Sequence, residues 1–480
     1  MGRRAELVFI PTPGVGHLVS TVELVKRLID RDEGLSAAIL VMTLTDNSAV
    51  KSTINSISSS SFAIRIRFIE LPEPEQMSAS GATSPFKNYL NSIERYIPSV
   101  RGFIMGEGNL GSKSQPRLAA FVVDMFCASM IDVANEFGIP SYVFFTSSAS
   151  FLGAMFHLQA LQEDGQDISL LVNSNAAIDY PGFEKKFPAK LLPYEMKDED
   201  VGKVFLSLAK RFKETKGVMV NTFEDIDSRA VEYMSYNKLS KLYAVGPILN
   251  LKTADNTVVD DILKWLDGQP LASVVFLCFG SKGSCREDQV RQIAYALEKS
   301  GHGFLWSLRR PSPVGTFQTP RDYDDPSEVL PEGFLDRTAG RGKVIGWAPQ
   351  SQVLAHRAVG GFVTHCGWNS TLESVWFGVP MAVWPMYAEQ HFNAFALVEE
   401  IGMAVEMSME YRKEIESAVP AEVIERGIRL LMGGEREEMK AKVKQMREWS
   451  RKALMEGGSS HLNLGQFIED IYSSICQSWK

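Results

Sequence analysis

The chain has 480 residues, of which 45% are hydrophobic and 10% aromatic, so it can bury large cores and is expected to form two domains. Its net charge is −8 and no long run of Lys and Arg is present, which argues against a surface that follows the phosphates of nucleic acid. No apolar stretch approaches the roughly 18 residues of a membrane span, so stable membrane insertion is not expected.

The cysteines and the first residues bear on the compartment. Five cysteines are scattered along the chain without a C-x-x-C pair, a pattern typical of reduced thiols in a cytoplasmic protein. The opening stretch MGRRAELVFIPTPG has too few apolar positions before Pro11 for a secretory signal peptide. We therefore expect a cytoplasmic enzyme or binding protein, and a monomer.

In the first half of the chain, short β-rich runs alternate with longer amphipathic runs. The predicted strands are ELVFI, AAILVMTL, IRIRFIE, LAAFVV and SYVFF. Residues 17–32 between the first two strands carry apolar side chains at helical spacing. This alternation predicts an α/β fold in which helices cover both faces of a parallel sheet.

The alternation pauses at YAVGPILNLKTADNTVVDD and then restarts with a second set of strands, namely ASVVFLCF, GFLWSL, KVIG, GGFVTH and PMAVWP. A helix is predicted at residues 287–300 and a long polar loop at residues 309–330. We therefore predict two doubly wound, Rossmann-like domains that face each other across a cleft. The boundaries are residues 1–245 for the first domain, 246–258 for a linker and 259–455 for the second domain.

The loop after the first strand, FIPTPGVGHLVS, presents a histidine at the start of a helix. Gly14 and Gly16 match part of a dinucleotide-binding fingerprint, but Val19 stands where a third Gly or Ala is required. What the pattern favours is a tight turn that exposes the imidazole of His17 at the edge of the sheet. The alternative is an ordinary residue at a helix start with a solvated ring.

The loop after LAAFVV begins with Asp124, an acid at the end of an apolar strand. Burying a lone carboxylate is costly, so Asp124 is expected to have a partner. A His–Asp pair needs only neighbouring strand ends, and the carboxylate would stabilise the imidazolium of His17 as the ring takes up a proton. The alternative is an aspartate that only caps the next helix.

A third loop, THCGWNSTLES, opens a helix after the strand GGFVT. The first N–H groups of a helix have no internal partners and favour anions such as phosphate. His365, Asn369 and Ser370 would add side-chain donors there. Ordinary capping of the helix by Asn369 or Ser370 is the alternative, but it does not account for the neighbouring histidine, tryptophan and glutamate.

The stretch WAPQSQVLAHRAVGGFVTHCGWNSTLESVWFGVPMAVWPMYAEQ, residues 347–390, resembles over its whole length the sugar-donor signature of plant UDP-sugar-dependent glycosyltransferases. PTPGVGHLVS, VVDMF, FFTSSA, VNTFEDID and FGSKGS extend the resemblance over nearly the whole chain. The resemblance implies the GT-B architecture, with an N-terminal acceptor-binding domain and a C-terminal domain that binds the UDP-sugar. It also implies that residues 456–480 form a helix that returns to the first domain.

The resemblance implies a role for each matching residue. Trp347 and Ala348 would bind uracil, Gln350 and Glu373 the ribose, and the diphosphate would meet four residues, namely Ser281, His365, Asn369 and Ser370. Trp368, Glu389 and Gln390 would surround the sugar. Glutamine at the last position accompanies glucose donors in the family and histidine suggests galactose, whereas many relatives have Asp where Glu389 stands.

These roles predict an inverting glucosyltransferase that moves glucose from UDP-glucose to a hydroxyl of a small lipophilic plant metabolite such as a flavonoid, another phenolic or a terpenoid. His17 would act as the base and Asp124 would orient it, with no metal and no cofactor. From their places on loops and helix starts near this pair, five residues are expected to line the acceptor pocket: Val15, Phe126, Thr146, Phe151 and Met155.

Other signals and other functions compete with this interpretation. Three D-x-D strings, beginning at Asp198, Asp225 and Asp322, are interpreted as solvated acidic faces and not as metal sites. The alternative functions are a UDP-sugar epimerase and a non-catalytic UDP-sugar-binding protein on the same fold. Incubation with the donor alone distinguishes the epimerase, and acceptor-dependent release of UDP distinguishes the binding protein.

Overall fold

The structure, a computed structural model, describes nine segments of the chain. These are residues 5–43, 48–58, 60–74, 84–107, 117–251, 257–313, 319–411, 417–434 and 437–477.

The first domain is built on a seven-stranded sheet whose neighbouring strands are all parallel, in the order β3-β2-β1-β4-β5-β8-β9. Its central strands β1, β4 and β5 are buried, because helices cover both faces of the sheet. The strands of this half are β1 (Ala5–Ile10), β2 (Leu35–Val41), β3 (Ile66–Glu70), β4 (Arg117–Asp124), β5 (Ser141–Phe145), β8 (Val218–Val220) and β9 (Leu242–Ala244), with a separate antiparallel pair of β6 (Ala177–Ile178) and β7 (Phe187–Pro188).

The helices of the first domain connect these strands. Helix α1 buries its apolar stripe on the sheet, as its helical spacing predicted. The helices are α1 (Val15–Arg31), α2 (Ser48–Ser58), α3 (Pro85–Glu94), α4 (Ile97–Glu107), α5 (Met130–Glu136), α6 (Ala149–Glu163), α7 (Ile168–Val172), α8 (Glu199–Phe212) and α9 (Ser228–Tyr236).

The second domain repeats the plan with a six-stranded parallel sheet in the order β14-β11-β10-β15-β16-β17. Its strands are β10 (Val274–Cys278), β11 (Gly303–Ser307), β14 (Gly342–Ile345), β15 (Val359–Thr364), β16 (Met381–Val383) and β17 (Ala404–Glu406), with a separate pair of β12 (Arg309–Arg310) and β13 (Arg321–Asp322). The two sheets confirm the predicted α/β fold of two doubly wound domains.

The helices of the second half include the predicted helix at residues 287–300. They are α10 (Thr257–Asp267), α11 (Glu287–Ser300), α12 (Phe334–Arg337), α13 (Gln350–Leu354), α14 (Trp368–Phe377), α15 (Gln390–Phe395), α16 (Ala421–Met432), α17 (Glu437–Leu454) and α18 (Ser459–Gln477). A π-helical turn, Ala396–Glu400, continues α15.

The end of the chain packs on the first domain. Phe467 of α18 contacts the rings of Tyr142 and Tyr243, with centroid distances of 5.0 and 5.6 Å. The hydroxyl of Tyr472 donates to Asp32 at 3.0 Å. Helix α18 therefore ties the C-terminal segment to the sheet of the first domain.

The two domains also meet directly through aromatic side chains. Phe392 of α15 stacks on Phe183 with the ring centroids 4.8 Å apart, and it also contacts Phe151 and Phe187 at 5.4 and 4.8 Å. All four rings are buried. This apolar contact holds the end of the donor-like motif against the first domain.

Some short strands of the structure differ from the sequence-based expectations. Strands β8, β9 and β17, each of three residues, were not predicted. Residues 252–256 of the predicted linker and 314–318 of the predicted polar loop lie outside the described residues. The described remainder of residues 309–330 contains β12, β13 and a 3₁₀ turn. Among the helices described, none has the length and apolar character needed to cross a membrane.

Candidate active site

Strands β1 and β4 bring His17 and Asp124 together, because neighbouring parallel strands end at the same edge of a sheet. His17 Nδ1 lies 2.9 Å from Asp124 Oδ2. An ionised carboxylate only accepts hydrogen bonds, so Nδ1 carries the proton and Nε2 of the neutral ring is free to accept one. The His17 side chain is 28% exposed, so the pair presents an accessible ring nitrogen to the cleft.

The second carboxylate oxygen of Asp124 is also engaged. Thr12 Oγ1 donates to Oδ1, and the backbone N–H of Phe126 donates to the same atom at 3.3 Å. The aspartate therefore caps the following 3₁₀ turn and binds the histidine at the same time. These donors fix the orientation of the carboxylate toward His17.

Neighbouring charges decide the protonation of His17. Burial lowers the pKa of the imidazole, but the carboxylate of Asp124 outweighs that effect and raises the pKa of His17 above its ordinary value of 6.5. Lys282 opposes this rise and Glu389 adds to it. Lys282, which the motif analysis did not single out, therefore acts electrostatically on the histidine.

Helix α14 starts at Trp368 directly after a strained turn. Its N-cap is Gly367, and no side chain caps it, so the alternative of ordinary capping by Asn369 or Ser370 is contradicted. Cys366 has φ 63°, in the left-handed region that costs a non-glycine residue about 1–3 kcal/mol. The first N–H groups of this ten-residue helix are thus available to an anion.

His365 lies beside this helix start between two glycines. A Cβ on Gly280 would lie 2.5 Å from His365 Nε2, and a Cβ on Gly367 would lie 2.4 Å from it, so only glycine permits this approach. Burial lowers the pKa of His365 to about 4. Within the described residues, its Nδ1 is buried without a hydrogen-bond partner. His365 is therefore neutral at pH 7 and offers a ligand a hydrogen bond but no charge.

Gln350 links the start of α13 to α14. Its Nε2 donates to Ser370 Oγ and to Glu373 Oε2, both at 2.8 Å. Burial raises the pKa of Glu373 to about 7, and the hydrogen bond from Gln350 offsets only part of that effect. Glu373 is thus a carboxyl group that hydroxyl donors from a ligand would help to ionise.

Trp347, Ala348 and Ser281 occupy two loops at the same edge of the second sheet. Trp347 is 51% exposed, which is unusual for so large an aromatic side chain, whereas Ala348 is 7% exposed. Ser281 is exposed in the loop after β10. The indole ring of Trp347 therefore forms an open aromatic face next to Gln350.

Trp368 and Asn369 contact the first domain. The indole N–H of Trp368 donates to the backbone oxygen of Asn221 at 2.6 Å. The Asn369 side chain donates to Ser20 Oγ at 3.1 Å and accepts from Asn221 Nδ2 at 3.3 Å. The side chains of Trp368 and Asn369, predicted to face the sugar and the diphosphate, are therefore engaged between the domains.

Glu389 and Gln390 follow a second strained residue, Ala388, with φ 53°. Glu389 Oε1 accepts from Ser147 of the first domain at 3.1 Å, and burial raises the pKa of Glu389. Gln390 is 3% exposed, and its Oε1 accepts from the backbone N–H groups of Met386 and Tyr387 at 3.0 and 3.1 Å. The NH₂ group of Gln390 also hydrogen-bonds the Tyr387 hydroxyl, so one N–H is left for a sugar, whereas both functions of the amide were expected to serve it.

The residues predicted to line the acceptor pocket fall into two groups. Val15 and Phe126 are partly exposed, and the Phe126 ring lies 6.0 Å from that of His17. Thr146 Oγ1 lies 3.3 Å from His17 Nδ1, so it contacts the base itself.

The other two predicted residues are part of the hydrophobic core. Met155 is 0% and Phe151 3% exposed. Helix α6 is buried on nearly all sides, so most of its side chains have no surface to offer a ligand. The prediction for Met155 is therefore corrected, and Phe151 serves the contact between the domains.

Two aromatic residues of α3 that the motif analysis missed lie near the base. The rings of Phe86 and Tyr89 are 6.0 and 6.1 Å from the ring of Phe126. The Tyr89 hydroxyl donates to the backbone oxygen of Pro13, in the turn before α1. The only sequence signal for them was the apolar spacing of α3, which does not distinguish a pocket wall from a core.

The D-x-D strings do not all form solvated faces. Asp227 is 5% exposed and accepts four hydrogen bonds, so the expectation of a solvated acid was wrong there. Asp198 caps α8, and Asp322 pairs with Arg309 at 2.7 Å. Over the described ranges, no cluster of three or more His, Cys, Asp or Glu side chains is arranged to hold a metal ion.

This geometry has close counterparts among known proteins. Residues 249–426 match the family described as "UDP-glucoronosyl and UDP-glucosyl transferase". The chain is 51% identical to UDP-glycosyltransferase 71A15 of Malus domestica, over 98% of this chain and 100% of that protein. It is 50% identical to putative UDP-glucose flavonoid 3-O-glucosyltransferase 3 of Fragaria ananassa, again over 98% and 100% of the two chains.

The fold of this chain is also similar to that of a solved structure. UGT71G1 of Medicago truncatula, complexed with UDP-glucose, superposes with a TM-score of 0.86 at 40% identity and covers 98% of each chain. Both the sequence and the fold are therefore similar to these proteins from end to end.

Proposed function

The chain belongs to the plant UDP-sugar-dependent glycosyltransferases, and from that premise we propose that it transfers glucose from UDP-glucose to a hydroxyl of a small lipophilic plant metabolite, with inversion at the anomeric carbon. The observation that carries the proposal is the His17–Asp124 pair on a partly exposed ring, in a helix, α1, that is hydrogen-bonded through Ser20 to Asn369 at the start of α14. Flavonoids are proposed as acceptors by analogy with the relatives' names, and other phenolics and terpenoids are proposed on the resemblance to the family.

The proposed chemistry is one displacement. The acceptor hydroxyl donates its hydrogen bond to His17 Nε2, and its oxygen attacks the anomeric carbon from the face opposite UDP. As the new C–O bond forms, the proton passes to Nε2 and the bond to the diphosphate oxygen breaks with its electron pair. Asp124 stabilises the imidazolium that results, so the acceptor is never a free alkoxide or phenolate.

The leaving diphosphate would rest on the first turn of α14. Backbone N–H groups at Asn369 and Ser370 would donate to its oxygens, together with the neutral ring of His365 and the hydroxyl of Ser281. Fixed donors of this kind stabilise charge as it develops without reorganising. Lys282 would supply a positive charge between the diphosphate and the base.

The nucleoside would occupy the outer part of the second domain. The exposed ring of Trp347 offers a face for stacking on uracil, and the backbone of Ala348 can pair with the edge of that base. Gln350 and Glu373 would bind the ribose hydroxyls, since a carboxylate accepts two such bonds.

Proton release is expected when UDP-glucose binds at pH 7. The pKa of Glu373 is about 7 in the empty site, so a large fraction of the carboxyl is protonated. Ribose hydroxyls that donate to the carboxylate lower this pKa, so binding expels a proton and affinity rises with pH up to about neutrality. Titration calorimetry in buffers of different ionisation enthalpy measures the released proton.

UDP-glucose suits this measurement because its esterified diphosphate does not titrate near pH 7, unlike the terminal phosphate of UDP. The variant Glu373→Gln is the control and should bind without the buffer-dependent heat. An equal release from the variant would contradict the assignment of Glu373 to the ribose.

The sugar end would be read by Glu389, Gln390 and the region of Trp368. We expect the enzyme to prefer UDP-glucose over UDP-galactose by at least about tenfold, because a site built to bind one hydroxyl leaves a polar group unpaired when the epimer binds. Gln390→His should narrow this preference. Competing kinetics with the two donors, read as the ratio of kcat/KM, measure it.

A second variant distinguishes the role of the Gln390 amide oxygen from that of its NH₂ group. Gln390→Glu keeps an oxygen that accepts from Met386 and Tyr387, but it loses the NH₂ donor. It should therefore fold normally and lose much of the preference. Full preference in this variant would show that the NH₂ group does not contact the sugar.

The acceptor would lie against the wall formed by Val15, Phe86, Tyr89 and Phe126. These side chains are apolar or aromatic, and Phe126, which lies beside the ring of His17, also contacts the rings of Phe86 and Tyr89. Such a wall suits a planar, mainly apolar molecule with a hydroxyl directed at Nε2. We also propose that the enzyme is a cytoplasmic monomer and needs no metal or cofactor.

The proposal is tested by incubating the protein with UDP-glucose, EDTA and a panel of plant phenolics and terpenoids, with mass spectrometry of the products. The expected result is a monoglucoside and an equal amount of UDP. Conversion of UDP-glucose to an epimer without acceptor, or binding with no turnover of any acceptor, would contradict it.

A further inference from the structure

The loop after β8, residues 221–227, has no role in the chemistry described above. It follows a strand next to β5 and leaves the sheet at the same edge as the loops that carry His17 and Asp124. Asn221 and Thr222 in this loop are both 0% exposed. Buried polar side chains at the meeting point of two domains require specific partners.

Asn221 holds the start of the donor helix α14. Its backbone oxygen accepts the indole N–H of Trp368 at 2.6 Å, and its Nδ2 donates to Asn369 Oδ1 at 3.3 Å. These two residues are the first two of α14. One residue of the first domain thus binds both side chains that open the proposed diphosphate site.

The side chain of Asn221 also binds the segment that leads from the first domain to the second, at Ile248. Asn221 Oδ1 accepts from the N–H of Ile248 at 2.7 Å, and Nδ2 donates to the Ile248 oxygen at 3.3 Å. A Cβ on Gly246 would lie 2.7 Å from Asn221 Oδ1, so the chain packs tightly against the amide. Asn221 therefore cannot move independently of the segment after β9 that leads out of the first domain.

The other end of the loop holds the start of α6. The buried carboxylate of Asp227 accepts from the N–H groups of Ala149 and Ser150 at 2.8 and 3.2 Å. Thr222, next to Asn221, donates to the same carboxylate at 2.6 Å. A charge-assisted set of donors of this kind resists displacement.

The residues just before α6 contact the reacting groups. Thr146 Oγ1 lies 3.3 Å from His17 Nδ1, and Ser147 donates to Glu389 at 3.1 Å. The loop 221–227 thus connects the helix start proposed for the diphosphate to the residues beside the proposed base, through hydrogen bonds joined by short stretches of backbone.

We propose that Asn221 is a positioning residue for sugar transfer, which keeps the first turn of α14 in register with His17. This inference rests on the proposed function. The donor and the base belong to different domains, so their separation depends on how the domains meet. A displacement of about 1 Å lowers the rate of such a reaction by about a hundredfold.

The test is the isosteric variant Asn221→Asp. The carboxylate still accepts from the N–H of Ile248, but it no longer donates to Asn369 Oδ1 or to the Ile248 oxygen, and it repels both oxygens. Transfer of glucose from UDP-glucose to quercetin, a phenolic probe, should fall by about ten- to a hundredfold, while the Kd for UDP changes less than about threefold. The fraction of UDP-glucose lost to hydrolysis should rise, because water attacks from more positions than the acceptor does.

The matched control is Asn237→Asp, an exposed asparagine whose Nδ2 donates to Tyr233, and it should behave as the wild type. If Asn221→Asp does not fold, Asn221→Ser decides, because it removes the amide donated to Asn369 and places no charge at the buried site. It should show the same separation of transfer from UDP affinity.

Two results would overturn the inference. One is unchanged transfer and unchanged hydrolysis in the folded variants. The other is a loss of UDP affinity as large as the loss of transfer, which would make Asn221 part of the binding site itself. Failure of the wild type to glucosylate any acceptor would instead contradict the proposed function, so the two failures are distinguishable.

Discussion

His17→Ala is expected to lower the rate of glucose transfer by about 10²–10⁴-fold, the range typical of a lost general base, while the affinity for UDP is unchanged. Asp124 binds Nδ1 of His17 at 2.9 Å, and within the described residues Nε2 is left to accept the proton of the acceptor. Without it, the acceptor hydroxyl would have to transfer its proton to water as it attacks. The measurements are kcat with UDP-glucose and quercetin, and the Kd of UDP by calorimetry.

The control for this variant is His461→Ala, which removes a histidine from helix α18 and should leave both quantities unchanged. UDP affinity is expected to persist in His17→Ala because the proposed UDP contacts, at Trp347, Gln350 and Glu373, all belong to the second domain. A loss of UDP affinity as large as the loss of transfer would contradict the role of His17 as base.

The sequence was sufficient to predict the pairing of His17 and Asp124, and the reason is geometric. Both residues follow apolar strands, and parallel strands that are neighbours end at the same edge of a sheet. The tight glycine turn before α1 and the apolar run before Asp124 were therefore enough to expect them together. The position of the donor motif after β15 could be predicted from the same rule.

Properties that depend on contacts distant in sequence could not be predicted. The neutral state of His365 follows from its burial between Gly280 and Gly367, and Gly280 is on another strand's loop. The hydrogen bonds of the Asn369 side chain to Ser20 and Asn221 form only because the two domains meet there. A motif indicates which side chains are near a ligand, but not which of them are already bound to another domain.

The burial of α6 on nearly all sides could not be predicted from the sequence either. Met155 was predicted to face the acceptor because α6 starts near the base, but the helix has almost no polar face along which the pocket side could be recognised. Asp227 was interpreted as solvated because it stands in an acidic stretch, whereas four donors from α6 and Thr222 surround it. Local composition does not reveal whether such an acid has partners elsewhere in the fold.

Asp124→Asn is expected to lower the rate of transfer by about a hundredfold or more at neutral pH. The amide keeps the size of the side chain, but it carries no charge to stabilise the imidazolium, and its NH₂ group can turn toward His17 and favour the wrong tautomer. The Thr12 hydroxyl and the Phe126 N–H both donate to Oδ1 of the carboxylate, so they would keep their acceptor when the NH₂ group faces His17. UDP affinity should be unchanged.

The pH dependence distinguishes this role from a merely structural one. In the wild type, Asp124 raises the pKa of His17 above 6.5, so activity should fall as pH drops through a value above 6.5, where the ring becomes protonated and can no longer act as a base. Removing the carboxylate leaves burial, which lowers the pKa, as the main influence on the ring. The acid limb of the kcat/KM profile, which reports the free enzyme, should therefore move to lower pH in Asp124→Asn, although the plateau value is smaller. The control is Asp132→Asn, an exposed acid paired with Arg211, which should keep the wild-type profile. An acid limb that stays in place in Asp124→Asn would mean that Asp124 does not set the protonation of the base.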